Sequence, residues 1–258
     1  MKKLGILGVG HTAGYCVKGL RRANDQRSIL LSARGREMAE QLQTQYNCEI
    51  AKDNQQVVDQ SDIILLAVRP ADLDDLLNGM CFHKGQVVIS VIAGISIAQL
   101  KQYPQLQSTQ LVRALPSLSA EVNAGPIALF PSNTSAEQLF KPLGQVVTLS
   151  CETLFDTMLA HACLHGWSYF LIQALIDWSA KQGMDEETAR QVVAHSIGSA
   201  ITYAQANPEL SYQQIGDSIA TEGTFTKQGI DKIKADNGIQ SWVDAMDNCI
   251  TKSTDINS

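Results

Sequence analysis

Two rhythms of apolar residues divide the chain. Up to about residue 150, short apolar runs alternate with amphipathic stretches, the pattern of βα units feeding a parallel sheet. Strands are expected at residues 3–7, 28–32, 63–68, 87–92 and 110–114, with a weaker one near 125–130. The runs IILLAV and VVISVIAG are continuous rather than alternating, so they read as strands buried on both faces. Helical spacing falls between them at 13–23, 36–45 and 72–77. After Ser150 the rhythm changes. Apolar residues recur at helical spacing over 154–181 with no strong breaker until Gly183, and again over 185–206 up to Asn207-Pro208. Residues 226–235 and 239–251 also read as helices. The fold class is therefore an α/β domain with a parallel sheet over residues 1–150, followed by an all-α domain over 151–258.

The first apolar run ends in a glycine turn. The sequence LGILGVGHTA places G-x-G-x-x-A directly after a strand and at the mouth of a helix. In that context Gly8 permits the tight turn, Gly10 lets a pyrophosphate approach the backbone, and small Ala13 lets helix and strand pack closely. His11 and Thr12 open the helix, whose free N–H groups face the anion. This is the signature of a Rossmann-type dinucleotide site.

The end of the second strand discriminates between nucleotides. An NAD site places Asp or Glu there for the ribose hydroxyls, whereas this chain reads Leu31-Ser32-Ala33-Arg34-Gly35-Arg36. An acid would repel a 2′-phosphate, while a serine hydroxyl with guanidinium groups binds one. Ser32 and Arg34 thus point to NADP(H). Exposed loop arginines without a ligand are the alternative.

Composition bounds the picture without changing it. With 45% apolar and 18% charged residues the chain is that of a soluble globular protein. A net charge of -6 argues against a nucleic-acid partner. Charge is uneven, however: residues 1–52 hold nine Lys or Arg against four Asp or Glu, a bias that suits an anionic ligand or a solvated helix face. The six cysteines show no Cys-x-x-Cys pair, and no signal-like segment opens the chain, so reduced thiols and a cytoplasmic location are expected. Runs such as residues 63–68 are too short to span a bilayer, and no membrane association is expected. His161 and His165 stand at i, i+4, but neither a glutamate beside them nor a third ligand completes a metal motif, so no metal is expected. No G-x-S-x-G elbow and no Walker loop occur.

The order of these motifs resembles the pyrroline-5-carboxylate reductase family, in which a Rossmann domain precedes a helical domain. Gly8, Gly10 and Ala13 match the family's glycine turn, and Ser32 with Arg34 match its Ser-x-Arg. Asp53-Asn54 match an Asp-Asn, and Ala67-Val68-Arg69-Pro70 match Ala-Val-Lys-Pro. Ala93-Gly94 match a strand-ending Ala-Gly, and Val112 to Ser119 correspond to Val-Arg-Ala-Met-Pro-Asn-Thr-Pro. The resemblance implies that Asn54 lies by the adenosine, that Ala67, Val68 and Arg69 run along ribose and phosphates, and that Ala93 and Gly94 adjoin the nicotinamide. It also implies a homodimer or larger ring whose helical domains interlock.

Family chemistry is hydride transfer from NADPH to the carbon of a cyclic C=N bond, the last step of proline biosynthesis. A threonine hydroxyl bonds the ring nitrogen, and backbone N–H groups hold the substrate carboxylate. The family loop Ser-Ser-Pro-Gly-Gly-x-Thr aligns to Ala220-Thr221-Glu222-Gly223-Thr224-Phe225-Thr226. Thr226 takes the functional threonine's place, with Thr221, Gly223 and Thr224 beside the substrate. The same stretch also reads as an ordinary capped loop before a helix. Departures matter too. Glu222 replaces a proline, Thr224 a glycine, and Cys163 and His165 replace two pocket glycines, which implies a pocket of different shape, with His165 either near the substrate or simply packed on its helix face. These changes keep two alternatives open: a reductase of a different small imine or carbonyl compound, and an idle NADP-binding protein.

Overall fold

A computed structural model describes the backbone of residues 1–256 and the side chains of residues 1–250. Two compact units result, one built on Met1–Leu159 and the other on Ala160–Lys252.

In the first unit β1 (Leu4–Leu7), α1 (His11–Arg22), β2 (Ile29–Leu31), α2 (Arg36–Tyr46), β3 (Glu49–Ile50), α3 (Asn54–Asp59) and β4 (Ile63–Leu66) form one winding. The chain continues through α4 (Leu73–Leu77), β5 (Val87–Ser90), α5 (Ile97–Leu100), β6 (Gln110–Leu115), β7 (Pro126–Phe130), α6 (Thr134–Phe140) and β8 (Gln145–Thr148). The eight strands lie in the order β3-β2-β1-β4-β5-β6-β7-β8. Strand order reverses at β1 and β4, which pair in parallel with Leu4 opposite Ile63 and Leu7 opposite Leu66.

Helices cover both faces of this sheet, which is why its central strands are apolar at every position. Ile63 and Leu65 belong to a core shared with Val17 and Leu20 of α1 and with Leu42 of α2. Their neighbours Ile64 and Leu66 point the other way, into a core with Val57 of α3 and with Leu73, Leu76 and Leu77 of α4. Period-two alternation thus divides one IILL run between two cores.

The sheet is not wholly parallel. β7 runs antiparallel to β6, with Ala114 opposite Leu129. Between them lies only a 3₁₀ turn at Leu118–Val122, not a crossover helix long enough to bring the chain back in parallel. Helix α6 supplies such a crossover, and β8 accordingly pairs in parallel with β7.

In the second unit the helices are α7 (Leu154–Lys181, of which Ala160 onward belongs here), α8 (Glu186–Ala206), α9 (Tyr212–Ile219), α10 (Phe225–Ala235) and α11 (Gly238–Ile256, of which the part up to Lys252 belongs here). Asp185 caps α8 by accepting from Thr188 N–H, and Ser211 and Gln214 form a capping box on α9. The internal core is small, centred on Ile176, Ala189 and Val193. Large apolar groups remain exposed, among them Phe170, Trp178, Ile201 and Tyr203. Trp167 and Trp242 meet edge to face, their ring centroids 6.5 Å apart. By length and composition alone α7 would suffice to cross a membrane, a property missed by looking only for unbroken apolar runs.

Candidate functional site

Where strand order reverses, the loops leaving neighbouring strands diverge and open a crevice beyond the strands' carboxyl ends. Here those loops are Gly8–Gly10 after β1 and Ala67–Arg69 after β4. Gly8 has φ +90°, and a Cβ there would stand 2.6 Å from Val68 Cγ1 and 2.8 Å from the Ala67 carbonyl. Gly10 has ordinary extended dihedrals and open space where its side chain would be. One glycine makes the turn, and the other leaves room above it.

Helix α1 begins with no side-chain cap and no acidic residue in its first turn. Its first intrahelical bond runs from Gly14 N–H to Gly10 C=O at 3.0 Å, so the N–H groups of His11, Thr12 and Ala13 have no intrahelical acceptor. Such an end attracts an anion. His11 lines the crevice and its ring stacks on Tyr15. Ala13 is wholly buried in the core beneath the turn, where only a small side chain fits.

Ser32 stands elsewhere than expected. It is fully buried, and its hydroxyl accepts from Gly8 N–H at 3.1 Å. Its place is under the glycine turn, not on the cleft surface where a 2′-phosphate would lie. Arg34 does line the cleft. Its loop is held close by Gly35, at φ +84°, where a Cβ would sit 2.5 Å from the Val9 carbonyl. Arg34 Nη2 lies 2.8 Å from Asp72 Oδ1, and Arg69 Nε lies 3.1 Å from Asp72 Oδ2. One carboxylate therefore joins guanidinium groups carried by the loops after β2 and β4.

The crevice encloses about 560 Å³ and is lined by Gly8, Gly10, His11, Thr12, Arg34, Ala67, Val68, Arg69 and Ala93, together with Val9, Asp72 and Ile92. That volume is ordinary for a small-molecule site. Asn54 does not line it. It opens α3, next to Asp53, whose carboxylate caps that helix by accepting from Gln56 N–H at 2.8 Å.

Gly94, at φ +76°, lines a neighbouring cavity of about 410 Å³ with Ser96, Gln99, Arg113, Glu152, Thr153 and Asp156. Arg113 is nearly buried. It pairs with Glu152 Oε1 at 2.9 Å and lies 4.3 Å from the Phe155 ring centroid, so its charge is balanced by one carboxylate and covered by an aromatic face. The same Glu152 oxygen accepts from Ile97 N–H at 2.7 Å.

The expected substrate residues belong to the helical unit. Thr224 is the N-cap of α10: its hydroxyl accepts from Lys227 N–H at 3.1 Å and donates to Thr221 C=O at 2.7 Å. Its one donor hydrogen is thereby committed to the protein, so the Thr224 hydroxyl has no proton left to donate to a substrate. Gly223, at φ +84°, makes the turn before the cap. Thr226 sits in the first turn of α10 with its side chain exposed, and Glu222 and Phe225 are exposed as well. His165 Nε2 lies 2.9 Å from Tyr169 Oη one helical turn on. Among the described residues no three His, Cys, Asp or Glu side chains converge as a metal site.

Sequence reasoning missed Asp72, Gly35 and the Arg113–Glu152 pair. Asp72 stands three residues after Arg69, a visible spacing. Its second partner, Arg34, is 38 positions away and is brought near only by the sheet order.

Residues 3–94 match the family model described as NADP oxidoreductase coenzyme F420-dependent, and residues 152–256 match the model for pyrroline-5-carboxylate reductase dimerisation. A relative named pyrroline-5-carboxylate reductase 1, from Bacillus spizizenii, is 24% identical over 268 residues, covering 99% of this chain and 89% of its own. The pyrroline-5-carboxylate reductase of Haemophilus influenzae is 28% identical over 208 residues, 76% of each chain. Among solved structures, the pyrroline carboxylate reductase of Plasmodium falciparum with NADP bound superposes with a TM-score of 0.87 at 20% identity, covering 100% of this chain and 98% of the other.

Proposed function

From the premise that this chain belongs to the pyrroline-5-carboxylate reductase family, we infer that it is an NADPH-dependent reductase that delivers hydride to the C=N carbon of a small cyclic imine, pyrroline-5-carboxylate in the family's reaction. The observation that carries this reading is the crevice at the reversal of strand order, where an open glycine, an uncapped helix end and two arginines converge. Its chemistry suits a phosphorylated dinucleotide: the α1 N–H groups would hold the pyrophosphate, Arg34 and Arg69 the adenosine end, and Ala93 and Gly94 the nicotinamide end. NADPH, when bound, supplies the hydride, and the protein's task is to place and polarise the acceptor.

For that task we assign Thr226 as the hydrogen-bond donor to the imine nitrogen, with Thr221, the Gly223–Thr224 backbone and His165 around the substrate. Support comes from the loop's order in sequence and from the free Thr226 hydroxyl beside a cap that Thr224 already provides. Residues 1–150 then form the nucleotide domain and 151–258 the helical substrate domain. The chain works as a homo-oligomer, a reading supported by the dimerisation match and by the apolar surface left bare on α7 and α8. We place it in the cytoplasm, in keeping with six cysteines that are all free thiols.

A second reading keeps the reductase and changes the imine. The cavity by Gly94 is lined by Glu152 and Asp156, and its one cation, Arg113, is already paired, so it offers little to a carboxylate substrate. Following NADPH and NADH oxidation with pyrroline-5-carboxylate and with uncharged and amine-bearing imines separates the two. Turnover of pyrroline-5-carboxylate at a family-typical rate supports the first reading. Turnover of the other imines alone supports the second, and nucleotide binding without turnover leaves an idle nucleotide-binding protein.

A further inference from the structure

The bridge between Arg34, Asp72 and Arg69 bears on which nucleotide this crevice prefers. Each oxygen of the Asp72 carboxylate serves a different guanidinium, Oδ1 toward Arg34 and Oδ2 toward Arg69. A terminal phosphate offers guanidinium groups the same thing, separate oxygens on one anionic centre. The acid is also the most sheltered member: its side chain is 21% exposed, against 51% for Arg34 and 85% for Arg69. Both guanidinium groups thus meet on the less exposed carboxylate between them.

Asp72 has no other evident task. It stands immediately before α4, where an aspartate ordinarily accepts from the helix's first N–H groups, yet its side chain makes no such bond. No acid stands at the end of β2, where nucleotides lacking the 2′-phosphate are usually recognised. An acid has reached the same corner of the crevice from a different strand.

We propose that Asp72 is a specificity-determining residue of the cofactor cleft, an internal anion that competes with the adenosine 2′-phosphate for Arg34 and Arg69 and so reduces the enzyme's preference for NADPH over NADH. The charge met by an incoming 2′-phosphate is that of two guanidinium groups less one carboxylate. A nucleotide with a free 2′-hydroxyl meets no such competition, and its hydroxyls can donate to the carboxylate.

The inference rests on the crevice being the nucleotide site, and its test separates the two ideas. Wild type, Asp72→Asn and Asp72→Ala are titrated calorimetrically with 2′,5′-ADP and with 5′-ADP at low ionic strength. Arg34→Ala serves as the variant that lacks half the phosphate grip. Removing one charge a few ångströms from a partly exposed phosphate should tighten 2′,5′-ADP by about three- to tenfold in both Asp72 variants. The Kd of 5′-ADP should change by less than about twofold or weaken, and the gain should shrink as salt is raised. An unchanged or lower selectivity ratio in both Asp72 variants, with nucleotides still bound, overturns the assignment of Asp72 alone. If neither nucleotide binds wild type, the nucleotide site and this inference fall together.

Discussion

Ser32 Oγ accepts a hydrogen bond from Gly8 N–H at 3.1 Å, joining the end of β2 to the tight turn after β1 in a fully buried position. The hydroxyl supports the turn that shapes the cleft. Ser32→Ala leaves a buried N–H without its partner and should cost about 1–3 kcal/mol of stability, read from urea unfolding. It should weaken NADPH and NADH binding by similar factors. A selective loss for NADPH would show instead that Ser32 reaches the 2′-phosphate.

The two glycines of the turn should fail in different ways. Gly8→Ala meets both a positive φ and a backbone contact at 2.8 Å, so it should lower stability by about 1–3 kcal/mol as well as abolish nucleotide binding. Gly10→Ala meets open space, so its Tm should stay within a few degrees of wild type while NADPH affinity falls at least tenfold, because in the proposed site the new methyl would stand where the pyrophosphate approaches. Thermal denaturation with and without NADPH distinguishes the two outcomes.

Thr224, the cap, and Thr226, the proposed donor, are separable by what their loss does. Thr224→Ala removes the α10 cap and should cost about 1 kcal/mol of stability. Thr226→Ala touches no cap and should leave stability near wild type while lowering kcat by about tenfold or more, in the range of a lost transition-state hydrogen bond. A Thr226→Ser variant retaining most of the rate would tie the effect to the hydroxyl. Full activity in Thr226→Ala would remove it from the chemistry.

Asp25 should govern part of the acid limb of stability. Burial pushes its carboxyl upward, but hydrogen bonds from the Arg27 side chain and backbone, with the charges of Arg27 and Arg21, outweigh this and hold it below its ordinary value of 3.8. Arg27 Nη2 stands 2.6 Å from Asp25 Oδ2, with both side chains buried. A carboxyl lowered on folding stabilises the protein above its unfolded value, and that contribution is lost as pH falls through the folded one. The window therefore opens near pH 4 and extends downward. In Asp25→Asn the urea midpoint should be lower at neutral pH and fall less steeply below pH 4 than in wild type.

Much of this architecture could be read from apolar spacing, and the exceptions have physical causes. Leu154–Lys181 has the expected bounds, because a long helical repeat ends at an unmistakable breaker. The strands at the two edges were invisible: β3 has two residues, and β8 is largely exposed and lacks the apolar run that marked its neighbours. β7 was recognised without its direction, since orientation depends on the connecting segment rather than on the strand's own residues. Among the residues lining the crevice, Gly8 and Gly10 were legible because a glycine turn is a local matter, and Arg34 because it follows closely on the end of β2. The inward aim of Ser32 and the reach of Asp72 to Arg34 depend on how β2, β1 and β4 are ordered, which no local pattern encodes.

The edge-to-face pair of Trp167 and Trp242 has a practical side. With Trp178 these are the only tryptophans in the chain, and all three lie within Ala160–Lys252. The unit built on Met1–Leu159 has none, although Tyr15, Tyr46 and Tyr103 belong to it. Indole emission is therefore a colour label on one half of the molecule, supplied by nature. If heating or denaturant shifts that emission at a different point from the loss of overall helical signal, the halves come apart in sequence, and no single melting temperature describes the protein.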